Sequence, residues 1–459
     1  MEVTVETIGS VLPIWSCIPF AGMLLSIAFF PLFKAEWWEK NQLKVALFWS
    51  LVFLIPFTVA YGPEIMGVKL SETILLDYVP FMALLLGLFT VAGGIHLKGV
   101  LVGTTKNNVI LLAIGTFLAS WIGTTGAAMV MIRPVLRANH WRQHKTHIVV
   151  FFIFLVANIG GCLTPLGDPP LFLGFLRGVP FFWTLQHIWP LLLLNSAILL
   201  VVFALVDRHF LKKEDTQHIE NEKLELEASK KEPMRVEGLI NLVFLAIIIL
   251  GVLCNGLLAG VNDELIVVNE HCKLGVNWFA EIILIAIAMV LSLNFTPKKL
   301  REDNEFEWGP IAEVARLFIG IFITMIPALL ILGAKGSELG LNTPAAFFWA
   351  TGALSSFLDN SPTYVVFLTC AGSLGDTLPN AIVTTVGGVD PLMLLAISAG
   401  AVFFGAITYI GNAPNFMVKS IAESNDVKMP SFFGYMKWSI AFLVPVFIID
   451  MLIWFNPFF

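Results

Sequence analysis

Apolar runs of about 20 residues, each long enough to cross the hydrocarbon core of a bilayer, recur along the whole chain. Such runs are typical of transmembrane helices, which rise ~1.5 Å per residue. The pattern therefore predicts an all-α polytopic membrane protein. Its spans are predicted near residues 11–33, 44–62, 74–95, 148–177, 184–208, 237–258, 277–296, 310–334, 390–420 and 432–455.

Two further apolar stretches, 105–139 and 344–375, are interrupted by small and polar residues. The interruptions are Trp-Ile-Gly-Thr-Thr-Gly at 121–126 and Leu-Asp-Asn-Ser-Pro-Thr at 358–363. Irregular backbone is unstable in lipid, so such tips must be buried in protein or face water. We predict that both stretches are re-entrant helical hairpins.

Two of the spans contain helix breakers near their middle. The sequence GGCLTPLGDPP occupies 160–170, and GAITYIGNAP occupies 405–414. Proline removes a backbone donor and clashes with the preceding turn, so these segments should unwind. We predict broken helices at 148–177 and 390–420.

The distribution of basic residues supports this layout. If the N-terminus is outside and both hairpins return to the side they came from, the inside loops are rich in lysine and arginine, as expected for a membrane protein. These loops hold all of the 27 lysines and arginines except Lys69, Arg177, Lys273, Arg316 and Lys335.

The two broken spans share the pattern G-x-x-T-x-x-G-[D/N]-x-P, starting at Gly161 and at Gly405 without gaps. The hairpin tips also align, with Ser120 opposite Ser356. Because the halves enter the membrane from opposite sides, they form an inverted repeat, which is typical of secondary transporters with a site near the bilayer midplane. The predicted organisation is an N-terminal helix (1–43), a first repeat (44–208), a cytoplasmic linker (209–236) and a second repeat (237–459).

The tips and breaks carry the residue types that an ion site needs. Unwound helices leave carbonyl oxygens unpaired, and hard cations such as sodium prefer oxygen ligands. The predicted ion- or substrate-binding residues are Ser120, Thr124, Thr125, Gly161, Thr164, Gly167, Asp168, Asp359, Asn360, Ser361, Thr363, Thr408, Gly411 and Asn412. The predicted sodium ligands among them are Asp359, Asn360, Thr408, Thr124 and Asp168.

Asp168 and Asp359 are acidic residues at membrane depth, where a carboxylate is costly and indicates function. Each could instead cap the helix that follows it, and capping is compatible with ion binding. A carboxylate can hold a proton or a sodium ion but not comfortably both, which is the simplest route to exchange. The remaining intramembrane charges are expected to reach the interface by extending along the helix surface, namely Glu281, Glu313 and Arg316.

Composition narrows the class of protein further. The chain is 57% hydrophobic and 13% charged, with a mean hydropathy of +0.84, whereas soluble domains are about 25% charged. The five cysteines lack metal or disulfide spacing, and the acidic N-terminus is unlike a signal peptide. Hydrolase and intramembrane protease motifs are absent. We therefore expect a multi-pass inner-membrane protein with a periplasmic N-terminus that has no enzymatic activity, no cofactor beyond sodium and protons, and no nucleic-acid partner.

These motifs resemble those of the ion transporter superfamily, which includes divalent-anion/sodium symporters, citrate and arsenite permeases and NhaD-type sodium/proton antiporters. The resemblance covers nearly the whole chain and rests on GTTGA at 123–127, GGCLTPLGDPP at 160–170, LDNSPTY at 358–364 and ITYIGNAPN at 407–415. It implies about eleven transmembrane helices with two re-entrant hairpins. It also implies a homodimer with a scaffold domain and elevator-like movement of a transport domain.

The residues of the hairpin tips indicate which members of the superfamily the chain resembles most. Carboxylate symporters are similar to one another in having Ser-Asn-Thr at both tips, but here the tips are Gly-Thr-Thr at 123–125 and Asp-Asn-Ser-Pro-Thr at 359–363. A carboxylate ~5 Å from a bound anion would repel it by about 3 kcal/mol at an effective dielectric of ~20. We favour the resemblance to NhaD-type antiporters and predict exchange of sodium or lithium for protons. The alternative is a sodium-coupled, citrate-type symporter in which Thr125, Ser361 and Thr363 contact the anion.

Overall fold

Helices make up nearly all of the regular structure. The computed structural model describes residues 4–99, 101–214, 235–258, 261, 264–375 and 380–456. The helices of the first half are α1 (Ile8–Val11), a 3-10 helix (Ile14–Cys17), α2 (Ile18–Phe33), α3 (Ala35–Tyr61), α4 (Pro63–Ser71), a π-helix (Glu72–Tyr78), α5 (Val79–Ala92), α6 (Thr105–Ile122), α7 (Thr124–Ala138), α8 (Thr146–Leu155), a 3-10 helix (Ile159–Leu163), α9 (Pro169–Leu176) and α10 (Trp183–Leu211).

The second half has a similar series. Most of the predicted linker 209–236 lies outside the described residues, which resume at Arg235. The helices that follow are α11 (Ile240–Leu258), α12 (Val276–Phe295), α13 (Lys298–Asp303), α14 (Gly309–Lys335), a 3-10 helix (Gly336–Leu339), α15 (Pro344–Ser355), α16 (Asn360–Gly372), α17 (Pro391–Phe404), α18 (Ala413–Ser424) and α19 (Phe432–Trp454).

Three short antiparallel strand pairs lie in the connections between helices. They are β1 (His96–Lys98) with β2 (Arg235–Glu237), β3 (Glu264–Val267) with β4 (Lys273–Gly275), and β5 (Ile382–Thr384) with β6 (Gly387–Val389). In the first pair His96 is opposite Glu237. This pair joins the segment before α6 to the segment before α11.

Nine helices of the described residues are long and apolar enough to cross a membrane, which confirms the predicted all-α polytopic class. Most bounds lie within a few residues of the predicted ones. The predicted span 74–95 is an exception, because α4, the π-helix and α5 continue one another over Pro63–Ala92. The first turns of this helix contain the charged residues Glu64, Lys69 and Glu72, so the apolar run alone placed its start too late.

The stretches predicted as hairpins each consist of two helices joined by a tight turn. Between α6 and α7 the chain reverses at Gly123, whose φ of +81° is readily available only to glycine. The stretches predicted as broken helices are also interrupted. A 3-10 helix and an irregular segment separate α8 from α9, and residues 405–412 separate α17 from α18.

The two halves pack in matching ways. Contacts of α5 with α7 have their counterpart in contacts of α14 with α16, and α9 packs on α16 as α18 packs on α7. Likewise α8 contacts α19 and α10 contacts α17. Each half therefore places its hairpin against the broken helix of the other half.

The same matching places the N-terminal helix inside the first repeat. Helices α2 and α3 pack on each other and on α14, just as α11 and α12 pack on each other and on α5. The predicted boundary at residue 43 is therefore wrong, and it falls within α3, which begins at Ala35. The sequence alignment of the two halves used the motifs of the hairpin tips and of the breaks. Helices α2 and α3 contain neither kind of motif.

A buried ion pair fixes the base of the first hairpin. Asp207, near the end of α10, accepts from Arg142 at 2.5 Å and lies 2.8 Å from Nε2 of His147 at the start of α8. Thr105, the first residue of α6, donates to the same carboxylate at 2.5 Å. Removing one partner of a buried pair typically costs about 3–5 kcal/mol, so α6, α8 and α10 are held firmly together at this end.

Candidate functional site

The tip of the first hairpin is bonded directly to the first break. The backbone N–H of Thr124 donates to the carbonyl of Gly167 at 2.8 Å. Ser120, one turn before the tip, donates to the carbonyl of Gly160 and accepts from the N–H of Leu163 at 3.2 Å. These bonds satisfy backbone groups that the unwound helix leaves without partners, as burial requires.

A repeated threonine holds each break to its own hairpin. Oγ1 of Thr164 donates to the carbonyl of Ser120, and Oγ1 of Thr408 donates to the carbonyl of Ser356, both at 2.5 Å. Both threonines are fully buried. The sequence alignment of the two halves therefore corresponds to an equivalent contact in space.

The two breaks share the same spacing of glycines because the backbone approaches itself closely at these positions. A Cβ atom on Gly167 would lie 2.1 Å from the carbonyl oxygen of Gly161, and one on Gly411 would lie 2.6 Å from that of Gly405. On Gly161 a Cβ would lie 2.5 Å from Cγ2 of Thr124. No larger residue fits these positions without a shift of the backbone.

The side chain of Asp168 lies where the two hairpins and the two breaks meet. Its Oδ1 accepts from Oγ1 of Thr124 at 3.0 Å and from Nδ2 of Asn412 at 3.2 Å, and its Oδ2 accepts from Nδ2 of Asn360 at 2.6 Å. Only 1% of Asp168 is exposed. Each of the three donors comes from a different segment, so this carboxylate joins both halves of the protein.

Asp168 does not cap the helix that follows it. It occupies the N-cap position of α9, but its side chain makes no capping hydrogen bond. The capping interpretation is therefore wrong for Asp168. Its hydrogen bonds go instead to residues distant in sequence.

Asp359 does act as a cap. Its Oδ1 accepts from the N–H of Ser361 at 2.9 Å at the start of α16, and its backbone carbonyl accepts from Oγ1 of Thr363 at 2.9 Å. The residue is half-buried, one position before Asn360. A role for Asp359 as a sodium ligand stays a prediction.

The remaining predicted residues lie near the tips without bonding to Asp168. Ser361 is buried and its Oγ is 3.4 Å from Oδ1 of Asn360, while Thr363 is also buried. Thr125 is half-buried, next to Thr124. These three residues belong to the hairpin tips, and none of them forms a hydrogen bond with Asp168 among the described residues.

Two asparagines that the sequence analysis did not select connect the breaks to each other. Nδ2 of Asn158 donates to Oδ1 of Asn415 at 2.7 Å, and Asn415 donates to the carbonyls of Gly405 and Thr408 at 2.7 and 2.9 Å. Asn415 belongs to the second break motif, so it could have been selected from the sequence. Asn158 precedes the first motif and has no equivalent in the other half, so the repeat could not reveal it.

The site is negative and contains no basic group. All three donors to Asp168 are neutral side chains, and no lysine or arginine of the described residues bonds to it. The described residues also contain no cluster of three or more histidine, cysteine, aspartate and glutamate side chains that could hold a metal ion. Ligands here would be mainly carbonyl, hydroxyl and amide oxygens, as suits a small monovalent cation.

The other intramembrane charges only partly follow expectation. Glu281 was expected at the interface but is fully buried, where Nδ2 of Asn255 donates to its Oε2. Glu313 is half-buried and accepts from Nε2 of Gln42 at 2.5 Å, whereas Arg316 is exposed. The correction at Glu281 follows from the packing of α11 on α12, which covers a helix face that the sequence left unassigned.

The chain belongs to a family of membrane transporters. The profile of the family described as "Putative citrate transport" matches residues 9–455, nearly the whole sequence. This match confirms the resemblance at the level of a secondary transporter family, without singling out the NhaD-type antiporters. No curated protein matches the sequence.

Proposed function

We propose that this member of the citrate transport family is a cation/proton antiporter that binds sodium at Asp168. The supporting observation is the buried carboxylate that accepts from Thr124, Asn360 and Asn412. Its two oxygens offer about four acceptor positions, of which three are filled, so one remains for a cation or a proton.

Electrostatics favours a cation as the bound species. Burial of an uncompensated carboxylate is costly, and one monovalent cation or one proton neutralises it. The two species therefore compete for the same position, and competition of this kind produces exchange when the site opens to each side in turn. Lithium could replace sodium, because both prefer oxygen ligands.

The packing supports an elevator-like movement. Both hairpins pack on the broken helices, whereas α2, α3, α11 and α12 pack mainly on α5 and α14. We propose that the hairpins and breaks form the transport domain and that the outer helices form the scaffold of a homodimer. The ion would then cross the membrane together with the transport domain that binds it, while the hydrogen bonds around Asp168 stay intact.

A second candidate is a cation-coupled carboxylate symporter, which the family description favours. In that case Asp168 would hold the coupling cation. Thr125, Ser361 and Thr363, which belong to the hairpin tips, would contact the organic anion. The tips 123–127 and 358–364 and the breaks 160–170 and 405–415 contain no lysine or arginine to bind an organic anion, which supports the antiporter more than this alternative.

Transport by the purified protein in sealed vesicles distinguishes the two. We expect sodium addition to release an imposed proton gradient, measured with a pH-sensitive dye, with no uptake of labelled citrate. Citrate uptake that depends on sodium, without a sodium-driven change in internal pH, would replace antiport with symport. Empty vesicles and vesicles with the Asp168→Asn variant serve as controls.

A further inference from the structure

A second buried carboxylate lies outside the site around Asp168. Asp450 on α19 and Asn195 on α10 are both fully buried, and Nδ2 of Asn195 donates to Oδ2 of Asp450 at 2.8 Å. The other oxygen of each side chain, Oδ1 of Asp450 and Oδ1 of Asn195, is buried without a hydrogen-bond partner. Two unpaired acceptors on two side chains that already touch are unfavourable unless a donor lies between them.

The repeat relates these two residues to each other. Oγ1 of Thr184 on α10 donates to the carbonyl of Leu163 at 2.8 Å, and Oγ of Ser439 on α19 donates to that of Ile407 at 2.6 Å. Leu163 and Ile407 are equivalent in the gap-free alignment of the breaks. Thr184 and Ser439 are therefore equivalent as well.

Asn195 and Asp450 each lie eleven residues after these hydroxyls (195 minus 184 and 450 minus 439), about three helical turns further on. They are thus equivalent positions of the two repeats. Equivalent residues that touch must lie on the approximate twofold axis that relates the halves. This places the pair on the axis.

The axis carries a second pair of the same chemistry. Asp168 and Asn412 are also equivalent and also bonded, at 3.2 Å. The acid comes from the first half in one pair and from the second half in the other. The pairs differ in their donors, because Asp168 accepts three hydrogen bonds and Asp450 accepts one from the described side chains.

We propose that Asp450 and Asn195 form a proton-binding site, in which the carboxyl group of Asp450 is protonated and its O–H donates to Oδ1 of Asn195. One proton then satisfies both unpaired oxygens. The acid and the amide form two antiparallel hydrogen bonds, N–H to O and O–H to O. An ionised Asp450 would leave two electron-rich oxygens side by side in a dry environment.

Among the residues that the structure describes, no cationic side chain bonds to Asp450. Lys437 on α19 and Arg208 on α10 each lie thirteen residues from the pair, about 20 Å along the helix. His187 on α10 is exposed and bonds to the carbonyl of Trp183. The other titratable groups on α10, on α19, on the elements packed against them and in the first break are Cys162, Asp168, Lys106, His147, Asp207, His209 and Tyr435.

The buried Glu281 in the scaffold is a useful contrast. Its partner Asn255 donates to Oε2, but the amide oxygen of Asn255 already accepts from Nδ2 of Asn277 at 2.9 Å. The amide there cannot accept equally well from a protonated acid. Oε1 of Glu281 is also buried without a partner, but its amide neighbour has no unpaired oxygen, whereas in the axial pair both the acid and the amide have one.

Infrared difference spectroscopy of the full-length protein in lipid tests the proposal. We expect the C=O stretch of a protonated carboxyl group at neutral pH, shifted in D2O, and lost in Asp450→Asn. The exchanged double variant Asn195→Asp/Asp450→Asn restores the acid–amide pair and should retain the band. Asp168→Asn and Glu281→Gln are controls that should leave this band in place.

An unchanged spectrum in Asp450→Asn would overturn the proposal, as would loss of this band in the Asp168→Asn variant when sodium is added at constant pH. If Asp450→Asn does not fold, the spectra of the exchanged double variant and of Asn195→Ala test the proposal instead. Asn195→Ala should shift the band to higher frequency, because the carbonyl of Asp450 loses its donor. The spectrum is independent of sodium exchange, so it is informative whether or not the protein is an antiporter.

Discussion

At the scale of single residues, the distinction between Asp168 and Asp359 has functional consequences. Both are acidic and both precede a helix, yet one receives three side-chain donors and the other caps α16. Asparagine caps a helix about as well as aspartate does, but it cannot neutralise a cation. The same substitution therefore separates the two roles.

We expect Asp168→Asn to lower sodium/proton exchange by roughly 100-fold or more, since a charged partner in a buried site contributes about 3 kcal/mol. Dye dequenching in vesicles measures the rate. The folded protein should persist, as judged by its elution as a single species in detergent. Exchange at the wild-type rate would refute Asp168 as the ion ligand.

For Asp359→Asn the stability should be unchanged, because the cap on α16 is preserved. If Asp359 is also a sodium ligand, as the sequence predicts, exchange is lost. If it only caps, exchange continues at a rate close to that of the wild type. The same vesicle assay decides between these outcomes.

Asn360 carries a separate prediction. Asn360→Ala removes the 2.6 Å hydrogen bond to Oδ2 of Asp168, and a hydrogen bond to a charged group contributes about 1.5–3 kcal/mol. The half-saturating sodium concentration should rise at least about tenfold. Ser361→Ala, one residue later, removes a hydroxyl 3.4 Å from Oδ1 of Asn360 that makes no bond to Asp168, and it should have a smaller effect. Equal effects of the two variants would argue against a direct role for Asn360.

The core of the site was predictable from the sequence because the repeat marked it. Thr124, Asp168, Asn360 and Asn412 were selected from two tips and two breaks, and they meet around one carboxylate. The pair of Asn195 and Asp450 was not predictable from the sequence, because each residue lies within an ordinary apolar helix. Its equivalence appears only when the hydroxyl contacts with the breaks are known.

At the scale of elements, the breaks depend on backbone contacts that tolerate no side chain. Gly167→Ala and Gly411→Ala should each destabilise the protein by about 1–3 kcal/mol, because the new Cβ would meet a carbonyl oxygen at 2.1 and 2.6 Å. Thermal unfolding in detergent measures the effect. The two variants should behave alike, since the positions are equivalent.

Gly67→Ala provides the matched control for these variants. A Cβ at this position in α4 meets nothing within 4 Å, and alanine is favoured over glycine in a helix by about 1 kcal/mol. Its melting temperature should be equal to that of the wild type or higher. A loss of stability as large as in Gly167→Ala would show that the breaks are not specially constrained.

Element boundaries show where sequence reasoning was sufficient. Polar interruptions located the hairpins and breaks. Backbone groups that leave a helix within the membrane need hydrogen-bond partners, so such segments contain polar and small residues that are recognisable in the sequence. The start of the first repeat was placed too late, because α2 is apolar and the polar first turns of α3 precede the predicted span 44–62. Only their packing on α14 assigns them to the repeat.

At the scale of the whole molecule, an inverted repeat makes a definite prediction about sidedness. With a periplasmic N-terminus, single cysteines at the exposed positions of Lys98 and Lys428 should be protected from an impermeant maleimide in intact cells. Cysteines replacing Glu64 and Glu338, also exposed, should be labelled. A cysteine-free background removes the five native thiols.

Permeabilised cells supply the control, since all four positions should then react. The reverse labelling pattern would show that the N-terminus faces the cytoplasm. If Lys98 and Lys428 lay on opposite sides, the number of crossings between them would be odd, whereas six spans and two hairpins that return to their own side give an even number. The re-entrant arrangement would then be excluded.

The two acid–amide pairs on the axis have a consequence for how such a protein can arise. A symmetric dimer of identical half-length chains would place like residues opposite each other at both positions. Two aspartates there would repel, and two asparagines would bring no charge to hold a cation or proton. Gene fusion, by letting the halves diverge, permits an acid to face an amide at each place. If Asp168 and Asp450 act as proposed, this fold needs two halves that differ in sequence, which a single chain of two diverged repeats supplies; identical half-length chains would have the shape without that chemistry.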